Sequence, residues 1–211
     1  MRMEKVLIGK YDKSVLLTYI SAVSAVIGCA AAMQAAFTTA IVCLVLSGVC
    51  DMFDGKVARM CQRDDTGKAF GVQIDSLADV VAFLVLPSVY GSVMTISLPH
   101  WSKSVFILYI LTGLIRLAWF NVHATLDKPV EFYTGLPVTS AAIIFPLLHL
   151  IGFFIPHEIM HALVTATAAA MAVLFVARVR VPKFTGAWYV VCSVAAVLLI
   201  AAFVILRCVR L

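Results

Sequence analysis

Charge is what this chain has least of. Only 13% of its 211 residues are Asp, Glu, Lys or Arg, against 63% that are hydrophobic, whereas a soluble domain carries roughly 25% charged residues. That shortage excludes a water-soluble fold. From Ser14 to Cys50 there is neither a charged residue nor a histidine, and no acidic residue follows Glu158. The six cysteines include no CxxC pair. Cys29, Cys43, Cys50 and Cys192 fall inside apolar runs, and with Cys61 and Cys208 they read as small apolar residues that leave the redox compartment undetermined.

What is present is apolar length. The uncharged run that begins at Ser14 exceeds one span of about 20 residues, so it is expected to fold back near Met33-Gln34 into two helices. Further apolar runs at about 73–97, 104–122, 136–155, 159–177 and 186–206 bring the expectation to seven spans. The fold class is therefore an all-α, polytopic membrane helical bundle. Val26-Ile27-Gly28-Cys29 resembles a lipoprotein cleavage box, but a multi-span chain has little use for a removable export signal.

Orientation follows from Lys and Arg in short loops, which are held on the cytoplasmic side. Lys5, Lys10 and Lys13 precede the first span, and Lys56, Arg59, Arg63 and Lys68 stand between the second and third. Alternation then places Lys128 and the Arg178, Arg180 and Lys183 cluster inside, with His100 to Lys103 and Pro156 to Glu158 outside. Seven spans leave Arg207 and Arg210 outside, against the rule. The net charge of +5, gathered in inner loops, suits anionic lipid headgroups and a diphosphate substrate. No nucleic-acid recognition module is visible.

Against this background the stretch Asp51-Met-Phe-Asp54-Gly55-Lys-Val-Ala58-Arg59, followed by Gly71-Val-Gln-Ile-Asp75-Ser76-Leu-Ala-Asp79, stands out. Ionisable residues at membrane depth are costly and mark function. On a helix Asp51, Asp54, Gly55 and Ala58 share one face at i, i+3, i+4 and i+7, and Gly71, Asp75 and Asp79 share another at i, i+4 and i+8. Two acidic stripes then face each other, and their repulsion has to be relieved by a cation or by protons. Carboxylate oxygens suit Mg²⁺ or Mn²⁺. Gly55 and Gly71 leave room for a ligand at the helix backbone, and Arg59 offers a fork for phosphate.

A rival signal is His157-Glu158-Ile159-Met160-His161, an HExxH string that can bind zinc through both histidines with Glu158 as base. It lies at the opposite membrane face from the aspartates, and no acidic residue downstream can supply a third ligand. An interfacial helix start accounts for it better. The acidic stripes also admit an ion-coupled transporter, but that class shows internal repeats and broken helices, and no convincing repeat is present.

The eight positions Asp51-x2-Asp54-Gly55-x2-Ala58-Arg59, then Gly71-x3-Asp75-x3-Asp79, resemble the signature of the CDP-alcohol phosphotransferases. These are integral membrane enzymes that join an alcohol to a phosphate carried by a CDP-linked donor and release CMP. The resemblance implies that Asp51, Asp54, Asp75 and Asp79 hold Mg²⁺ or Mn²⁺, with Asp79 also the catalytic base. It implies that Gly55, Arg59 and Gly71 hold the CDP portion, to which Thr18, Thr66 and Lys68 are further candidates. Two features differ from the family's usual pattern. The spacer from Met60 to Phe70 is a few residues longer, and Ser14-Val15 stands where many members have Pro-Asn.

Within the family, Asp75-Ser-Leu-Ala-Asp79-Val-Val-Ala-Phe83, Arg116-Leu-Ala-Trp-Phe120-Asn121, Gly135-Leu136-Pro137 and Val181-Pro182-Lys183 are similar to the phosphatidylserine synthase subgroup. That implies CDP-diacylglycerol and L-serine as substrates, with glycerol 3-phosphate or an inositol compound as alternative acceptors. A free amino acid needs a fixed cation for its carboxylate. Arg116 lies in the fourth span, with Asn121 and Thr139 as further acceptor-site candidates. The resemblance also implies a homodimer among membrane lipids, while the basic inner loops put the site at the cytoplasmic face, with a cell membrane the expected location. The expected division is a cytoplasmic segment 1–13, a family domain 14–183 and an added C-terminal helix 184–211.

Overall fold

A computed structural model describes residues 8–99, 101–126, 132–182 and 188–209. Lys5, His100, Lys128, Lys183 and Arg210, used above for orientation, lie outside the described residues, as does the expected domain boundary at 183–184.

The long uncharged run folds back where expected. Helix α1 (Leu16–Met33) ends in a turn at Gln34 to Ala36, and α2 (Phe37–Met60) returns beside it. Small residues let the two approach closely, as is usual between membrane helices. The Ser47 hydroxyl donates to the Ser21 carbonyl at 3.0 Å, Ser21 returns the bond to the Ser47 carbonyl at 3.3 Å, and Ser24 donates to the Cys43 carbonyl at 3.0 Å. Leu16, Ile20, Val23 and Ile27 remain exposed on the other side of α1. In water that stripe would be a liability; against lipid it is the expected surface.

Helix α3 (Asp65–Asp79) begins well before the apolar run that starts near residue 73. The reason is a cap: the Asp64 carboxylate accepts from the Gly67 N–H at 2.8 Å, and Asp65 sits favourably in the first turn. The helix passes through a π-helical segment, Val80–Val85, into α4 (Leu86–Met94). Pro87, near the start of α4, cannot donate the backbone bond that an α-helix would send to the Phe83 carbonyl. The buried Tyr109 hydroxyl donates to that carbonyl instead, at 2.7 Å. Tyr109 lies on α5 (Trp101–Leu126), so one hydrogen bond both satisfies the irregular turn and ties two helices together.

Beyond α5 the chain forms a 3₁₀ turn at Val138–Ser140, then α6 (Ala141–Ile151), α7 (His157–Val176) and α8 (Trp188–Val209). The all-helical expectation gains one element, a ribbon of two three-residue strands. In it β1 (Phe132–Thr134) and β2 (Arg180–Pro182) run antiparallel with Tyr133 opposite Val181. Chain leaving α5 and α7 at the same end has backbone groups to satisfy, and it satisfies them mutually. Gly135 locks the joint. Its φ is +81°, its N–H donates to the Val179 carbonyl at 2.8 Å, and a Cβ there would lie 2.8 Å from the Phe175 carbonyl.

Five helical segments among the described residues are long and apolar enough to cross a membrane: Leu16–Met33, Phe37–Met60, Asp65–Met94, Trp101–Val122 and His157–Val176. Two further apolar helices, Val138–Ile151 and Val194–Phe203, are shorter. The fifth of the expected seven runs is cut short because Pro137 delays the helix and Gly152 ends it. Phe83, Tyr90, Phe106, Tyr109, Phe145 and Phe175 fill the core between the helices. Replacing Tyr109 by Phe keeps the ring and strands the Phe83 carbonyl, a loss of roughly 1–3 kcal/mol. The expected outcome is a lower thermal unfolding midpoint in mild detergent.

Candidate functional site

The loop Cys61 to Asp64 joins α2 to α3 at one end of the bundle, and it turns the two acidic stripes toward each other. Carboxylate oxygens of Asp51, Asp54 and Asp75 all lie within 4.8 Å of one another. The Asp51 carboxyl is also in hydrogen-bonding reach of Asp79, and Asp54 of Asp75. Asp54 is the most enclosed by neighbours on α1, where the Thr18 hydroxyl donates to its Oδ2 at 3.1 Å. Two unit charges at such a separation repel by about 3 kcal/mol at an effective dielectric near 20. The donor set is all oxygen and fits a hard divalent cation.

The glycines open this cluster to its surroundings. A Cβ at Gly55 would meet only the Arg59 guanidinium, at 3.9 Å. A Cβ at Gly71 would come within 2.9 Å of Nη1 of Arg63. Each glycine therefore faces a guanidinium, and the second of these comes from the spacer. Spacing could not single out Arg63, because it stands in non-helical backbone where residue number says nothing about direction. Of the two spacer residues proposed from the sequence, Thr66 is exposed, and the Lys68 ammonium pairs with Asp65 at 3.0 Å on the surface. Next to this loop runs the N-terminal segment. Lys10 lies 3.8 Å from Asp64, and Ser14 donates to Asp12, holding that carboxyl below the usual carboxylate range with help from the Arg63 charge.

Toward α5, Arg116 is buried, and its guanidinium carbon lies 5.1 Å from the centre of the Phe120 ring. Asn121 and Ser76 exchange hydrogen bonds, Nδ2 to Oγ at 2.8 Å and Oγ to Oδ1 at 3.2 Å. This ties α5 to the residue that follows Asp75. Ser76 was visible in the sequence only as part of a motif, and its partner could not be read there. Thr139 sits half-buried in the 3₁₀ turn, stabilised in place by the docking of Gly135 and Leu136 onto the end of α7.

Comparison with known proteins bears on this arrangement. The sequence model of the CDP-alcohol phosphatidyltransferase family matches residues 14–174. The chain belongs to that family. It is 32% identical over 144 residues to a CDP-diacylglycerol–serine O-phosphatidyltransferase of Helicobacter pylori, covering 67% of this chain and 59% of that protein. It is 29% identical over 171 residues to an archaetidylserine synthase of Methanothermobacter thermautotrophicus, covering 81% of this chain and 70% of the relative. A Bacillus subtilis protein with the same name as the Helicobacter one is 29% identical over 136 residues, covering 64% of this chain and 69% of its own length. The chain thus spans somewhat over half of the Helicobacter relative.

In a CDP-alcohol phosphatidyltransferase the aspartate trio is a group able to hold a divalent metal, as the family generally requires. An ion bound to the folded chain and not to the unfolded one stabilises by about 2.7 kcal/mol at a hundredfold excess over its Kd. Mn²⁺ or Mg²⁺ is therefore expected to raise the thermal unfolding midpoint of the protein. The double variant Asp51→Asn, Asp75→Asn is expected to lose most of that rise.

Proposed function

We propose that this chain transfers the phosphatidyl group of CDP-diacylglycerol to L-serine, giving phosphatidylserine and CMP. The observation that carries the reading is the three-carboxylate group flanked by two glycines and two guanidinia, in a chain of this family. The names of the Helicobacter, Bacillus and archaeal relatives all contain serine, which supports that acceptor over glycerol 3-phosphate or an inositol compound.

The reaction is a displacement at phosphorus. The serine hydroxyl oxygen bonds to the phosphorus that carries diacylglycerol, the bond from that phosphorus to the CMP oxygen breaks, and the hydroxyl proton goes to a carboxylate. Asp79, adjoining Asp51 at the deep end of its stripe, takes the role of that base. Asp51, Asp54 and Asp75, with Asp79 beside them, would hold Mg²⁺ or Mn²⁺, and the bound ion would supply positive charge to the diphosphate and to the leaving phosphate. Thr18 holds Asp54 in place, and Gly55 and Gly71 let the nucleotide lie against the helices, with Arg59 and Arg63 at its phosphates. Arg116 serves the serine carboxylate, and the Ser76–Asn121 pair aligns α5 with the reacting centre.

The same reading places this machinery at the cytoplasmic face of a cell membrane. It counts the two shorter helices as spans to reach seven, treats residues 14–183 as the family domain with 184–211 as an added helix, and includes a homodimer in the lipid bilayer. The donor's acyl chains stay in lipid while the head group enters between the helices.

The test is CMP release by the purified protein in detergent, with CDP-diacylglycerol, Mg²⁺ or Mn²⁺ and a panel of alcohols. Serine is expected to stimulate release above all others; stimulation by another alcohol and none by serine would overturn the acceptor. Asp79→Asn is expected to lower kcat by about 10²–10⁴. Arg63→Gln removes one charge-assisted contact worth roughly 1.4 kcal/mol. It is expected to raise the KM for CDP-diacylglycerol about tenfold with little change in kcat.

A further inference from the structure

The HExxH string has no part in that chemistry. It begins α7 at the end of the bundle where α2 starts, and Phe37 at that end is fourteen residues of helix, about 21 Å, from Asp51. His157, Met160 and His161 occupy i, i+3 and i+4 of α7, one face of the helix. All three line a single cavity of about 190 Å³, and Met94 lines it from the end of α4. Glu158 is exposed and does not line it. A hydrolytic zinc centre would need that carboxylate or a further hard ligand; the cavity offers thioethers in its place.

The donors differ in what they are free to do. His149 also lines the cavity, but its Nε2 is 3.1 Å from the Thr38 hydroxyl and its Nδ1 is 3.0 Å from the Tyr90 hydroxyl, so both nitrogens are engaged. The rings of His157 and His161 are 6.5 Å apart between centres. Met160 is buried with its sulfur against Gly152, where a Cβ would come within 3.0 Å of that sulfur, so the glycine makes space for the thioether. Phe37 and Phe153 form apolar wall around the set. Imidazole with thioether, in apolar surroundings, is a donor set that selects soft monovalent copper over hard divalent ions. The unbranched methionines can swing to close on an ion between the two rings.

We propose that this cavity binds Cu(I) through the imidazoles of His157 and His161 and the thioethers of Met160 and Met94. The site is independent of the aspartate cluster and of the acceptor alcohol.

The test is titration of the full chain in detergent with Cu(I), without oxygen and against a chromophoric Cu(I) chelator, in a Cys61→Ser background that removes the loop thiol. One Cu(I) per chain is expected to compete with the chelator, and copper X-ray absorption is expected to show both nitrogen and sulfur neighbours. Met160→Leu, which conserves volume, is expected to weaken binding about tenfold and to reduce the sulfur signal, and His161→Gln about tenfold or more. The metal-free unfolding midpoints of both variants are expected to match the parent. Absence of a Cu(I) equivalent whose binding Met160→Leu and His161→Gln weaken would overturn the proposal. So would coordination without sulfur in the parent protein, or Zn²⁺ binding as tightly as Cu(I) and indifferent to Met160→Leu.

Discussion

Bringing Asp51, Asp54 and Asp75 within 4.8 Å of one another costs electrostatic energy that the packing of the bundle has to outweigh. Helix packing opposes it from two directions. On one side α2 is fastened to α1 by reciprocal serine-to-carbonyl bonds and by the Thr18 hydroxyl on Asp54. On the other, α3 is continuous with α4 through a π-helical segment whose Phe83 carbonyl is satisfied by Tyr109. With both helices held, the stripes cannot separate to relieve their charge. A cation or protons must do so instead, which is how an unfavourable arrangement becomes a binding site.

The two ends of the bundle answer different problems. Around the aspartates the side chains are glycine, arginine and short hydroxyls, which leave room and supply charge. At the far end, aromatic rings and the doubly engaged His149 make an apolar wall, with Phe145 packed on Tyr90, and Tyr90 and Phe203 each packed on the imidazole. Charge at one end and soft, polarisable groups at the other are about 20 Å apart along α2. Different ions would therefore be favoured at the two ends of one fold.

Much of this was legible in the residues. The uncharged run from Ser14 to Cys50 announced a helical hairpin, because apolar length admits few other solutions in a bilayer. The i, i+3, i+4 spacing of the acids announced two stripes, because helical periodicity is local. Where local rules failed, the cause was non-local. α3 starts at Asp65 and not near 73 because a cap outweighs the polarity of its first turns. The ribbon of β1 and β2 pairs segments whose partners are nearly fifty residues away, so neither strand had a signal of its own.

What the sequence determined by itself was the membrane-embedded helical class and the acidic stripes, which rest on composition and on spacing within a helix, and the family, which rests on the resemblance of the motif from Asp51 to Asp79. The tertiary structure decided which groups meet. Arg63 reaches Gly71 while Lys68 pairs with Asp65, Ser76 pairs with Asn121, and the histidines at the start of α7 share a cavity with Met94 and not with a carboxylate. Contacts of that kind depend on loop direction and on how helices are rotated against each other. Both are set by the packing of the whole bundle, which no local stretch of sequence encodes.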